Sequence, residues 1–181
     1  MKKIEVKILN PESIDQAEKM MVCAARLTQR GHQISCLSDF MDLYEKTYRR
    51  STVANLVKLL HPTIQKFGII NVVIVGASRR FLAQITRHQN EVKYMSASLQ
   101  YSDYSGVEDF VIPYDLMGTG SEKEYLKQCS MAMKNYQKMI SAGVDNDSAG
   151  YCAPQGMKNI LLISATPVSY THLTLPTNSR V

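Results

Sequence analysis

Long apolar runs are missing from this chain, and their absence is the first constraint. The most apolar stretch, Ile69 to Ala77, lies mid-chain and falls far short of the ~20 residues that a membrane-spanning helix needs. The opening Met1-Lys2-Lys3-Ile4-Glu5-Val6-Lys7 is basic, but it leads into no apolar core segment or small-residue cleavage site, so a cytoplasmic protein is expected. Paired metal-ligand motifs are missing too. Cys23, Cys36, Cys129 and Cys152 are scattered, with no Cys-x-x-Cys and no histidine at zinc-ligand spacing, so free thiols and no metal site are expected. There is no long basic run, internal repeat or low-complexity linker.

What is present is the composition of one globular domain: 181 residues, 45% hydrophobic and 20% charged. The net charge of +5, with basic pairs at Arg49-Arg50 and Arg79-Arg80, favours an anionic partner such as a nucleotide, folate, phosphate or RNA. A solvated basic face explains the same charge.

Alternation over residues 3–9 predicts a half-buried edge strand stopped by Asn10-Pro11. From Pro11, the spacing of Ile14, Ala17, Met20, Met21, Ala24 and Leu27 predicts an amphipathic helix ending near Gly31. Ser38-Asp39 and Ser51-Thr52 are positioned to start two packing helices. The β-branched run over 69–75 suits a buried strand, and Ser78 then caps a helix through Phe81, Leu82 and Ile85, extending toward His88. Residues 93–113 read as irregular strand and loop. A helix over 122–140 turns Tyr125, Leu126, Cys129, Met133, Tyr136 and Ile140 inward and stops at Gly143.

The stretch Val168 to Thr177 back-translates to a sequence that resembles, in frame, a transposase adapter used in building sequencing libraries. The expectation is a single domain over 1–166, incomplete at its C-terminus, followed by a non-native tail over 167–181. His172 is therefore kept out of any site.

Chemistry concentrates in one ordered set. His61-Pro62-Thr63-Ile64 is followed by Gly76-Ala77-Ser78-Arg79, then Gln84-Ile85-Thr86-Arg87-His88-Gln89, then Ser98-Leu99-Gln100-Tyr101. A helix bearing Gln84, Arg87 and His88 on adjacent turns offers a guanidinium fork, an imidazole donor and an amide to an anionic nucleotide. In order and spacing the set resembles the flavin-dependent thymidylate synthases. Their signature is a His-x-Ser/Thr segment, a strand, Ser-Arg opening a helix, Gln-x-x-Arg-His-Arg, and a later Ser-x-Arg-Tyr. The likeness covers roughly residues 12–166.

The resemblance implies an α+β fold, a sheet flanked by helices, and FAD- and NADPH-dependent methylation of dUMP to dTMP with methylenetetrahydrofolate as carbon donor. It further implies that His61, Thr63, Arg87, His88 and Gln89 contact FAD, that Gln84, Arg87, Ser98 and Gln100 reach dUMP, and that the sites form between subunits of a homotetramer. The arginine that activates the pyrimidine would lie beyond residue 166. Each residue also has a plainer reading: His61 before Pro62 as a helix end, Arg79 and Arg87 as surface charges, Ser98 and Tyr101 as ordinary strand residues.

The chain departs from the pattern at three cations. Gln89 stands for the last arginine of Arg-His-Arg, Gln100 for the arginine before the final tyrosine, and Gly150 for the arginine of a later Ala-Arg element. These departures motivate an alternative, a relative that binds flavin or nucleotide without turnover. A third reading, a basic RNA-binding module built on Tyr94, Tyr101 and Tyr104, has only Lys93 beside it as a cation.

Overall fold

Val72, Val73, Ile74 and Val75 carry stiff branched side chains that favour extended backbone. In the computed structural model, which describes residues 4–58, 63–89, 91–167 and 169–170, they lie at the heart of a four-stranded antiparallel sheet. Its strands are β1 (Glu5–Ile8), β2 (Ile70–Ser78), β3 (Val92–Ser96) and β4 (Lys158–Ala165), in the order β1-β2-β4-β3. The fold is α+β, with helices α1 (Ser13–Arg30), α2 (Leu37–Glu45), α3 (Arg50–Val57), α4 (Arg79–Ile85), α5 (Gly120–Ser141) and α6 (Asn146–Gly150). As expected, β1 forms an edge, but all four of its residues are exposed rather than half-buried, because no helix packs Val6 or Ile8 into any of the buried clusters.

Antiparallel pairing places directly opposed residues on one face of the sheet. On the covered face, Leu161, Ile163 and Ala165 are buried against Ile74, Val92 and Tyr94 and against Phe81, Leu82 and Ile85 of α4. The other face is apolar and open: Val75 opposes Ile160, Met95 opposes Leu162, and all four are exposed. Gly76 lies between Val75 and Ala77, where the register slips, and its φ of 84° is a conformation that only glycine adopts at no steric cost. Pairing with β4 resumes at Ala77 and Ser78, after which α4 begins at Arg79.

Two further cores flank the sheet. Met21, Val22 and Ala25 of α1 pack on Leu56 of α3 and on Ile64. Cys129, Met133 and Tyr136 of α5 close over Phe110, Ala149 and Met157. The buried stripe of α1 differs from the expected one, since Val22, Cys23 and Ala25 are inside while Leu27 is 42% exposed. The start of α2 differs as well. Cys36 rather than Ser38 is the cap, and Asp39 answers with a carboxylate that accepts from the Ser35 and Cys36 backbone.

Ser169 and Tyr170, within the stretch that resembles adapter sequence, are described. The Tyr170 hydroxyl donates to the Ile70 carbonyl at 3.2 Å. Among the described residues no helix is long and apolar enough to cross a membrane.

Candidate functional site

Ser78 begins the site. Its Oγ accepts the Phe81 N–H at 3.1 Å, an N-cap that satisfies one of the helix's free donors. Phe81, Leu82 and Ile85 then hold α4 to the sheet, which fixes the direction in which its far end points.

The helix is shorter than the sequence pattern predicts. It ends at Ile85, where the Thr86 N–H and hydroxyl both donate to the Leu82 carbonyl, at 3.1 and 2.9 Å, and the backbone beyond tightens. Arg87 N–H bonds the Gln84 carbonyl and His88 N–H the Ile85 carbonyl, each spanning three residues. Arg87, His88 and Gln89 therefore sit exposed on a turn rather than on successive helical turns, with Gln84 half-buried behind them. The Tyr94 phenol pins this turn by donating to the His88 carbonyl at 2.9 Å. Burial raises the Tyr94 pKa, which keeps the phenol protonated as that bond requires.

Beside the turn lies a cleft of about 390 Å³, whose walls include Lys66, Gln89, Glu91, Lys93, Ser164 and Thr166. The volume is at the small end of ligand sites. Lys66 and Glu91 form an ion pair on its wall, and Lys93 adds a further cation. Glu91 holds a φ of 58°, a left-handed conformation uncommon for a residue with a Cβ. Thr63 is exposed just before the turn of tight helix Ile64–Phe67, and its carbonyl accepts the Lys66 N–H at 3.1 Å. His61 lies outside the described residues.

Ser98 and Gln100 lie past the other end of β3. That strand has 5 residues and separates them from the Arg87 turn by roughly 16 Å. Ser98 Oγ accepts the Gln100 N–H at 3.1 Å, and the Gln100 side chain is exposed. Next to them is Gly150, where a Cβ would lie 3.2 Å from that of Leu99. Gln84, Arg87, His88 and Gln89 thus form one group and Ser98 with Gln100 another, within one chain.

Lys66, Ser164 and Thr166 were absent from the sequence reading of the site. Lys66 follows Thr63 by one turn, which was a usable signal. Ser164 and Thr166 offered none, because they reach the cleft only through the pairing of β4 with β3. Among the described residues no group of His, Cys, Asp or Glu is arranged to hold a metal.

The family described as thymidylate synthase complementing protein, the flavin-dependent thymidylate synthases, matches residues 11–177, and the chain belongs to it. Among solved structures, the UMP/dUMP methylase PolB from Streptomyces cacaoi, bound with 5-Br dUMP, superposes with a TM-score of 0.67 at 14% identity, over 94% of this chain and 76% of that one. Thymidylate synthase X from Helicobacter pylori, with FAD and dUMP, superposes with a TM-score of 0.59 at 18% identity, over 93% of this chain and 81% of that one. No curated protein matches in sequence.

Proposed function

We propose that this protein binds FAD and methylates dUMP to dTMP, taking its reducing equivalents from NADPH and its carbon from methylenetetrahydrofolate. The observation that carries the reading is membership of the family across residues 11–177, joined to a turn that presents Arg87, His88 and Gln89 beside a cationic cleft. When bound, the flavin supplies the redox chemistry, and the protein's part is binding, orientation and electrostatics.

The residues present fit such a group. Lys93 offers charge to a diphosphate, with Lys66 held beside it by Glu91, Gln89 offers amide donors, and Arg87 offers a fork able to grip phosphate in two places. We assign His61, Thr63, Arg87, His88 and Gln89 to FAD, and Gln84, Arg87, Ser98 and Gln100 to dUMP. A cleft of 390 Å³ is small for a whole dinucleotide, and the two halves of the dUMP set lie at opposite ends of β3. Both points support sites completed by a second subunit, with the open sheet face of Val75, Met95, Ile160 and Leu162 as an interface of a homotetramer.

The test is the absorbance spectrum of purified protein after gel filtration, followed by NADPH oxidation with dUMP and methylenetetrahydrofolate. Visible flavin absorption at tetramer size and dUMP-dependent oxidation are the expected results. Colourless protein that takes up no added FAD sinks the proposal.

A second reading, flavin or nucleotide binding without turnover, is favoured by Gly150. Leu99 stands against it, so the cation of the family pattern is lost together with the space for it. Bound FAD without NADPH oxidation in any dUMP and folate mixture would select this reading.

A further inference from the structure

A bare strand edge runs along one side of the sheet. β1 ends the order β1-β2-β4-β3, so among the described residues no strand lies on its outer side. Its pairing with β2 is regular, from Glu5 against Val75 to Ile8 against Val72, with no bulge to turn the edge away. Residues 4–9 contain no proline to block it. Asn10 fixes the end of the strand, its side-chain amide donating to the Ile69 carbonyl at 3.2 Å and accepting the Asn71 N–H at 2.8 Å. An edge that is held straight and left uncovered is a template for another strand.

One bond tells which backbone groups face outward. The Leu9 N–H donates to the Asn71 carbonyl at 2.8 Å, so Leu9 turns its backbone toward β2. Alternate residues of a strand share that direction, so Lys7 and Glu5 do the same, whereas Ile4, Val6 and Ile8 aim their N–H and C=O groups at the open edge. Those groups are the ones a further strand would pair.

The strand that fits them is a second copy of β1. An antiparallel copy related by a two-fold axis at Val6 sets Val6 against Val6, Ile4 against Ile8, and Glu5 against Lys7. Outward backbone groups then meet outward backbone groups. Glu5 and Lys7 fall at the positions between, where opposed side chains come closest, and each carboxylate meets an ammonium. Shifting the axis to Lys7 opposes two ammonium groups, and shifting it to Glu5 opposes two carboxylates, so charge selects the axis at Val6. The apolar side chains agree with it. Val6 and Ile8 oppose Ile74 and Val72 on the face that carries α4, and with Ile4 they are exposed. Across the axis they form one apolar stripe with the same residues of the second copy.

We propose that the free edge of β1 recognises β1 of a second copy, antiparallel about Val6, and joins two four-stranded sheets edge to edge. This surface is distinct from the open face of Val75, Met95, Ile160 and Leu162. A paired segment this short is marginal in water on its own, so the edge joins dimers already associated through that face, and in this the proposal rests on the assembly reading above.

Sedimentation velocity of the full chain, with far-ultraviolet circular dichroism as the check on folding, tests the edge without reading flavin or activity. Wild type is expected at the mass of a tetramer. Glu5→Lys and Lys7→Glu each oppose like charges on both sides of the axis and are expected to sediment as dimers, with edge association about tenfold weaker. The double exchange Glu5→Lys/Lys7→Glu opposes unlike charges again and should recover the tetramer. The two single variants move net charge in opposite directions, so a loss shared by both and reversed in the double cannot come from net charge. Val6→Pro removes an outward N–H at the axis and no bond to β2, and it too should stop at the dimer. Loss of the sheet face through Ile160→Glu gives single chains instead, which separates failure of that interface from failure of the edge. Tetramer mass retained in either single charge variant or in folded Val6→Pro, a double exchange that does not recover, or a wild type that never exceeds a dimer overturns the pairing. Should Val6→Pro not fold, the charge exchange decides alone, because Glu5 and Lys7 are exposed in the single chain.

Discussion

Leu99 occupies the space that a side chain at Gly150 would need: a Cβ built on Gly150 would lie 3.2 Å from the Leu99 Cβ and 3.4 Å from its Cδ1. Leu99 also packs on the core of Phe110, Tyr136 and Met157, so it has little room to give. Gly150→Ala is therefore expected to lower stability by about 1 kcal/mol, the cost of modest overpacking. In a Leu99→Ala background the same substitution should be neutral or stabilising. Urea unfolding of the four proteins in a double-mutant cycle measures the coupling. Independent effects would show that the contact does not explain the glycine.

Gln89 lines the cleft together with Lys66 and Lys93 but brings no charge of its own. Restoring the family's cation with Gln89→Arg replaces a neutral hydrogen bond with a charged one, a difference of about 1 kcal/mol. Titration of the purified protein with FAD, read by flavin fluorescence, should show roughly fivefold tighter binding. Weaker binding would mean that the ligand approaches Gln89 with a positive or neutral group.

Elements whose two faces differ were legible in the sequence, and those whose faces do not were not. α5 shows a single apolar stripe whose residues all meet one core, and the alternation of β1 identified it as a strand although both of its faces are exposed. β4 is different. Ile160, Leu161, Leu162 and Ile163 are apolar on both faces, so period two is hidden, and no strand was read there although it is an inner strand of the sheet. The open side of that strand is the feature that a second subunit is proposed to cover. At the site, the order of Ser78, Gln84, Arg87 and His88 was readable, but the end of α4 was not. The change to three-residue backbone bonds at Arg87 and His88 marks it, and no helix-breaking residue in the sequence announces that change. The cleft was hidden because it depends on β3 and β4 pairing across more than sixty residues.

Acid sensitivity should trace in part to Asp39. Hydrogen bonds from Ser35, backbone first and then side chain, and from Cys36 lower its pKa from 3.8 to about 2. A carboxyl depressed in the folded state stabilises the fold above its unfolded pKa and loses that contribution as pH falls through the folded value. The contribution is thus complete above about pH 4 and lost by about pH 2. Asp39→Asn removes the titrating group. Its urea midpoint should be lower than that of wild type near neutrality, and the two should converge on acidification. Parallel curves across that window would remove Asp39 as the cause.

The open sheet face allows a sharper test of assembly. Ile160 is 51% exposed and Met95 70%, in a patch continuous with Val75 and Leu162. A charge placed there costs an isolated chain little, because the side chain already reaches water. Buried between subunits, the same charge has no partner among these apolar neighbours, and desolvation opposes association. Ile160→Glu is expected to leave far-ultraviolet circular dichroism unchanged while shifting gel filtration from the assembled size to that of a single chain. Because Gln84 with Arg87 and Ser98 with Gln100 meet only across subunits in the proposed assembly, dUMP binding should fall with it. An Ile160→Glu protein that elutes at the wild-type size would place the interface elsewhere, and one that dissociates yet binds dUMP undiminished would show that a single chain completes the nucleotide site.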